Sequence, residues 1–135
     1  MPDMKYGDNS ARSKLSGVPD YWDRNQAAVF EMHRQVGDLH IERAQDGCEI
    51  ATRGLLVRHL VLPCRLAGTE TIVRFLAEEV STDTYLNIMD QCRPCFRAGE
   101  IVEIGRPITS GEYREAVRLA RAAGLWRFDS ARQTC

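Results

Sequence analysis

The sequence predicts an α/β fold built on parallel strands, with one β-hairpin inserted into it. Three observations predict this. Residues 54–63, GLLVRHLVLP, form an almost unbroken apolar run rich in branched side chains and ended by Pro63, the pattern of a parallel strand covered on both faces. Segments with apolar residues at helical spacing alternate with extended ones, which implies right-handed βαβ units. Asp46-Gly47, a strong tight-turn dipeptide, stands between two short extended segments.

In chain order, residues 1–6 read as the end of a strand, with Asp3 and Lys5 at alternate positions and Gly7 breaking the pattern. Residues 9–21 are polar, with Gly17 and Pro19 as turn formers, and read as a surface loop. A helix is expected next, with Asp23 as its N-cap, an apolar stripe of Ala27, Ala28, Phe30, Met32 and Val36, and Gly37 as its stop. LHI and CEIA around Asp46-Gly47 make the hairpin, placed outside the main sheet. After the strand over 54–63, residues 69–80 read as a helix that turns Ile72, Val73, Phe75, Leu76 and Val80 inward and Glu70, Arg74, Glu78 and Glu79 outward. Residues 84–89 are a second buried strand. The segment 90–107, with Pro94, Gly99, Gly105 and Pro107, is a long loop of the kind that usually carries function or disorder. From Ser110 a last helix presents Tyr113, Ala116, Val117 and Ala120 on one face and stops at Gly124. Residues 125–128 add a short final strand. One domain over residues 1–129 and a disordered tail over 130–135 are expected.

Composition excludes several classes of function. The chain has 135 residues, 44% of them hydrophobic and 27% charged, as in an ordinary globular domain. Its 18 basic and 19 acidic residues, net charge −1, are dispersed, which gives no footprint for nucleic acid. No apolar run approaches the roughly 20 residues of a membrane span, and no signal peptide opens the chain, so a cytoplasmic protein is predicted. Five cysteines then read as free thiols, redox groups or metal ligands rather than a disulfide frame.

In parallel sheets and barrels ligands sit at the C-terminal strand ends, which directs attention to residues 3–6, 58–64 and 87–95. Asp3 and Lys5 on one side of a strand end are able to hold a zwitterionic amino-acid group, or to form an exposed ion pair and nothing more. Arg58, in the middle of the most apolar strand, calls for a carboxylate or phosphate partner, either structural or from a ligand. His59, on the other face, reads as a packed, hydrogen-bonded histidine. Cys92-Arg93-Pro94-Cys95 has the spacing of a redox pair or of half a zinc or iron–sulfur site, but the other cysteines are scattered, and unpaired loop thiols are the expected state. Glu112 and Glu115 read as part of a solvated helix face.

The stretches PDMKYGD, KLSGVPDYW, RQVGDL, RGLLVRHLVLP, YLNIMDQCRPCFRA and RPITSGEYREAVRLARAAGLWR together resemble the C-terminal half of radical S-adenosylmethionine proteins that are homologues of pyruvate formate-lyase activating enzyme. The resemblance runs collinearly from Pro2 to Arg127 and implies the last three βα units of a partial (β/α)6 barrel. It implies S-adenosylmethionine and a [4Fe–4S] cluster as cofactors. Asp3 and Lys5 would lie at the cofactor's methionine moiety, Arg58 would partner its carboxylate, and Asn87 and Gln91 would line the same cavity. The family's cluster motif C-x-x-x-C-x-x-C and the glycine-rich stretch that meets the cofactor amino group are absent. The resemblance also leads one to expect glycine where Cys64 follows Pro63 and an aromatic residue at Cys92. It implies, as partners, a cluster-bearing N-terminal half and a protein substrate. The rival readings are a small thiol or metal module using Cys92 and Cys95, and a scaffold pairing or self-associating through its open sheet edge.

Overall fold

The computed structural model describes residues 1–9 and 17–130. Its elements in order are helix α1 (Tyr21–Val36), strands β1 (His40–Arg43), β2 (Glu49–Arg53) and β3 (Leu56–Leu60), helix α2 (Thr69–Phe75), strand β4 (Tyr85–Met89), helix α3 (Ser110–Ala122) and strand β5 (Phe128–Ser130). The protein is therefore a mixed α/β fold, and β3, β4 and β5 form a parallel sheet in that order. Residues 2–4 extend this sheet along β3: Met4 N–H donates to the Arg58 carbonyl at 2.8 Å, and Arg58 N–H donates to the Pro2 carbonyl at 2.9 Å. Among the described residues no helix is long and apolar enough to cross a membrane.

The three helices pack on the same side of the sheet. Val57, Val61, Leu86 and Ile88 point into a core with Val29 of α1, Ile72, Val73 and Phe75 of α2, and Tyr113, Ala116 and Ala120 of α3. Along β3 and β4 burial alternates up to Met89: Val57, His59, Leu86 and Ile88 are buried, while Leu56, Arg58, Leu60, Tyr85 and Asn87 are half-exposed, and Met89 at the end of β4 is buried as well. The expected strand covered on both faces is thus covered on one. An apolar run alone does not reveal this, because Leu56 and Leu60 on the open face are as apolar as the core residues between them.

In α1 the expected apolar stripe holds at Val36 and fails at Ala27, Ala28, Phe30 and Met32. Val29 is its fully buried residue, with Trp22 and Val36 packed beside it, whereas Phe30 is 53% and Met32 40% exposed. Apolar residues stand on both sides of this helix, so spacing gave two solutions, and packing of Trp22 edge-on against Phe75 at 5.7 Å accompanies the other one. The cap differs too. Asp20 occupies the cap position without a side-chain bond, Asp23 lies in the first turn, and Asn9 Oδ1 accepts the Trp22 N–H at 3.1 Å.

The helix expected over 69–80 turns its apolar and charged residues as predicted, but its last turn, Leu76–Val80, widens so that Ser81 N–H reaches the Leu76 carbonyl at 2.8 Å. Its start is set by glycine. A Cβ on Gly7 would lie 2.4 Å from the Gly68 carbonyl oxygen, so the end of the first segment and the turn before α2 touch backbone to backbone. The hairpin β1–β2 is antiparallel and forms its own two-stranded sheet, as expected, joined to the body at its base, where Arg127 donates to the Leu39 carbonyl. Helix α3 ends in a Schellman motif: Gly124 (φ 98°) donates to the Arg121 carbonyl and Leu125 to the Ala120 carbonyl. The last strand is Phe128–Ser130 rather than 125–128 and pairs with β4 over Leu86, Asn87 and Ile88. Of the expected tail, residues 131–135 lie outside the described ones.

Candidate functional site

The uncovered sheet face carries a row of polar residues. Asp3 bridges to Arg58, and Arg58 is in parallel register with Asn87. Residues in register on parallel strands share a face, so Asp3, Arg58 and Asn87 stand side by side opposite the helices. Lys5, two residues on, follows on the same side: its Nζ lies 3.8 Å from Asp3 Oδ2. Arg58 Nη1 lies 3.4 Å from Asp3 Oδ1, and Arg58 Nη2 contacts Met89 Sδ at 3.5 Å. Of the five residues expected at the site the structure brings four to one face. Gln91 is exposed beyond the end of β4, and among the described residues no hydrogen bond joins it to the group.

The expectation that Arg58 is buried in an apolar strand fails for the reason given above: its face is open, and the side chain is 38% exposed. Its ion pair with Asp3 is correspondingly a weak structural device, of about 0–1 kcal/mol. The more informative atom is Asp3 Oδ1. It is buried and has no hydrogen-bond partner, since the Arg58 contact is an ion-pair approach only. The Asp3 side chain as a whole is 34% exposed, so a further donor such as an ammonium group would meet the carboxylate from its accessible side rather than at this oxygen.

Beside this row a cavity of about 320 Å³ opens at the C-terminal strand ends, lined by Tyr6, Leu60, Leu62, Cys92, Pro94 and Cys95 among others. Tyr6 follows Lys5, and Leu60 lies two residues beyond Arg58 on the same face. A second cavity of similar volume lies on the helix side of the sheet, between the starts of α2 and α3, lined by Val61, Thr69, Glu112 and Ala116. Leu62 lines both cavities, and the first adjoins the polar row through Tyr6 and Leu60, while none of Asp3, Lys5, Arg58 and Asn87 lines either.

His59 is the packed histidine its alternation predicts. It is fully buried, with Nδ1 2.7 Å from the Met4 carbonyl and Nε2 2.9 Å from Thr69 Oγ1. A carbonyl only accepts, so Nδ1 carries the proton and Nε2 accepts from the Thr69 hydroxyl. Burial lowers its pKa and keeps it neutral.

The described cysteines do not come together. Cys48 sits in the hairpin, Cys64 after β3, and Cys92 and Cys95 after β4; Cys92 is buried and the other three are exposed. Among the described residues no three His, Cys, Asp or Glu side chains meet as metal ligands. A [4Fe–4S] cluster with three thiolates therefore does not fit the described donors. Burial, then the neighbouring Cys95, pushes the Cys92 thiol above its ordinary pKa, opposite to the lowered value of a reactive thiol. Cys64 occupies φ 56°, the left-handed conformation that suits the glycine expected there.

Sequence reasoning missed Glu112. It is the anchor of the two loops that follow β3 and β4. Its carboxylate accepts from Arg106 twice at 2.8 Å, from Thr109 N–H at 2.8 Å, and from Cys64 N–H at 2.9 Å. These donors, Arg106 foremost, hold its pKa well below the usual carboxylate range. Thr109-Ser-Gly-Glu112 is a capping box, and that four-residue signature is the signal that points to it.

No family model matches the chain. An uncharacterized protein of Methanocaldococcus jannaschii is 29% identical over 126 residues, which cover 93% of this chain and 32% of that protein. The chain thus spans about a third of that relative's length. No solved structure matches.

Proposed function

We propose that the chain is the cofactor-binding C-terminal part of a radical S-adenosylmethionine protein similar to pyruvate formate-lyase activating enzyme homologues, and that its sheet is the end of a partial (β/α)6 barrel. One observation carries this reading: a parallel sheet with α1, α2 and α3 on one face and Asp3, Lys5, Arg58 and Asn87 on the other. Parallel sheets are nearly always covered on both faces, except that the inner face of a barrel meets only the barrel's own side chains and ligand. The sequence resemblance adds the identity of that ligand.

In this reading the Asp3 carboxylate accepts from the ammonium group of the methionine moiety, and Arg58, with Lys5 beside it, takes up the carboxylate of that moiety. Asn87 supplies an amide on the same row. The apolar cavity at Tyr6 and Leu60 is the adjoining space for the rest of the cofactor or for substrate. S-adenosylmethionine, when its carbon–sulfur bond is reductively cleaved, supplies a 5′-deoxyadenosyl radical. Since the described cysteines do not furnish the cluster that would reduce it, this chain contributes binding and orientation, and the electron comes from another segment or another chain. A protein substrate belongs to the same proposal.

Isothermal titration with S-adenosylmethionine tests the reading. Asp3→Ala and Arg58→Ala should each weaken binding by about 1.5–3 kcal/mol, roughly 10- to 100-fold in Kd, the usual cost of a lost charged hydrogen bond. A titration with no heat at any cofactor concentration, or equal affinity in all three proteins, removes the proposal.

A further inference from the structure

The outer edge of the first segment is already occupied. Met4 N–H and the Pro2 carbonyl face β3, so the alternating groups, the Asp3 carbonyl and the Lys5 N–H, face away from the sheet. Left alone they are a template for another strand. Helix α1 reaches both of them. The Tyr21 hydroxyl donates to the Asp3 carbonyl at 3.1 Å and accepts the Lys5 N–H at 3.0 Å, and Asn25 Nδ2 donates to the same carbonyl at 3.0 Å. One hydroxyl thus does the work of the carbonyl and amide of a neighbouring strand. The Tyr21 ring is steadied edge-on against Tyr6 at 5.6 Å, and Asn9 holds the first turn of α1 in place through the Trp22 N–H.

We infer that Tyr21 and Asn25 are a seal that keeps this sheet edge from pairing with a second copy of the chain. The need for a seal lies in the edge itself, which is self-complementary. Two copies related by a two-fold axis pair antiparallel, and pairing centred on Met4 sets Asp3 of each copy opposite Lys5 of the other on the same face. Opposite charges directly across an antiparallel pair are attractive. The edge thus combines outward backbone groups with a favourable charge register, and among the described residues Tyr21 and Asn25 of α1 occupy those groups. The inference does not depend on S-adenosylmethionine binding, but it does require that no further strand pairs on this edge.

Sedimentation velocity over a wide range of concentrations tests it on the wild type and on the Tyr21→Phe, Asn25→Ala double variant. The wild type should stay monomeric and the double variant should dimerise, with an association constant at least about tenfold higher. Adding Lys5→Glu to the double variant should abolish the dimer, because Asp3 then faces a like charge. A double variant that stays monomeric, or a dimer indifferent to Lys5→Glu, overturns the inference. If the double variant does not fold, amide hydrogen exchange on the single Tyr21→Phe protein decides. The Lys5 amide should exchange about tenfold faster or more while the Met4 amide, bonded to Arg58, keeps its protection; equal protection of Lys5 in both proteins overturns the seal.

Discussion

His59 shows how one buried side chain couples this fold to pH. Its Nδ1–H is held by the Met4 carbonyl and its Nε2 by Thr69, so protonation of the ring in the folded state would reverse the Thr69 bond and bury a charge. The folded pKa is lowered while the unfolded value stays near 6.5, so only the unfolded chain takes up the proton as pH falls. Stability from this group is complete above about pH 6.5 and is lost below it, by at most about 1.4 kcal/mol per pH unit until the folded value is reached. Urea unfolding at pH 7.5 and 5.5 should show that loss in the wild type and a smaller one in His59→Gln; identical pH slopes would contradict it. Cys64 gives a second single-residue expectation. At φ 56° a side chain is strained, and glycine relieves the strain at the cost of a more flexible unfolded chain. Cys64→Gly should leave the urea midpoint unchanged or raise stability by up to about 1 kcal/mol; a loss of 1 kcal/mol or more would mean that the thiol contributes contacts worth more than the strain.

At the scale of elements, Glu112 is the residue whose removal should be felt most widely. It joins the start of α3 to the turn after β3 and to the end of the long loop after β4. Glu112→Ala removes a helix cap and leaves the Arg106 guanidinium and the Cys64 amide without this acceptor, and should cost about 1–3 kcal/mol in urea unfolding. Glu112→Gln should cost less, because the amide oxygen still accepts. Equal costs would mean that shape rather than hydrogen bonding matters here. The elements themselves were largely legible. The positions of the two central strands, the inward residues of α2 and α3, and the separate hairpin follow from period and turn residues. What was not legible is which of two apolar sides a helix buries when both are populated, as in α1 with Val29 on one and Phe30 and Met32 on the other. The capping box at Thr109 was readable, but its glutamate resembled the other exposed carboxylates until the loops it binds were in view.

At the scale of the whole molecule, the feature that sequence could not supply is the one-sided sheet. Hydropathy reports that Leu56, Val57, Leu60 and Leu86 are apolar and is silent on what lies above each face, because that depends on how many strands and helices surround the sheet. The candidate site was legible in part for the same reason. Strand periodicity puts Asp3 and Lys5 on one side, and only the register of three strands puts Arg58 and Asn87 beside them. This makes a direct test of what covers the open face. If nothing covers it in the isolated chain, Leu56→Thr removes a half-exposed side chain and should cost about 0.5–1 kcal/mol or less, whereas Leu86→Ala on the helix side empties a fully buried site and should cost about 2–5 kcal/mol. A cost for Leu56→Thr close to that of Leu86→Ala would mean that the face is closed in solution by another polypeptide, and that the polar row lies inside an assembly.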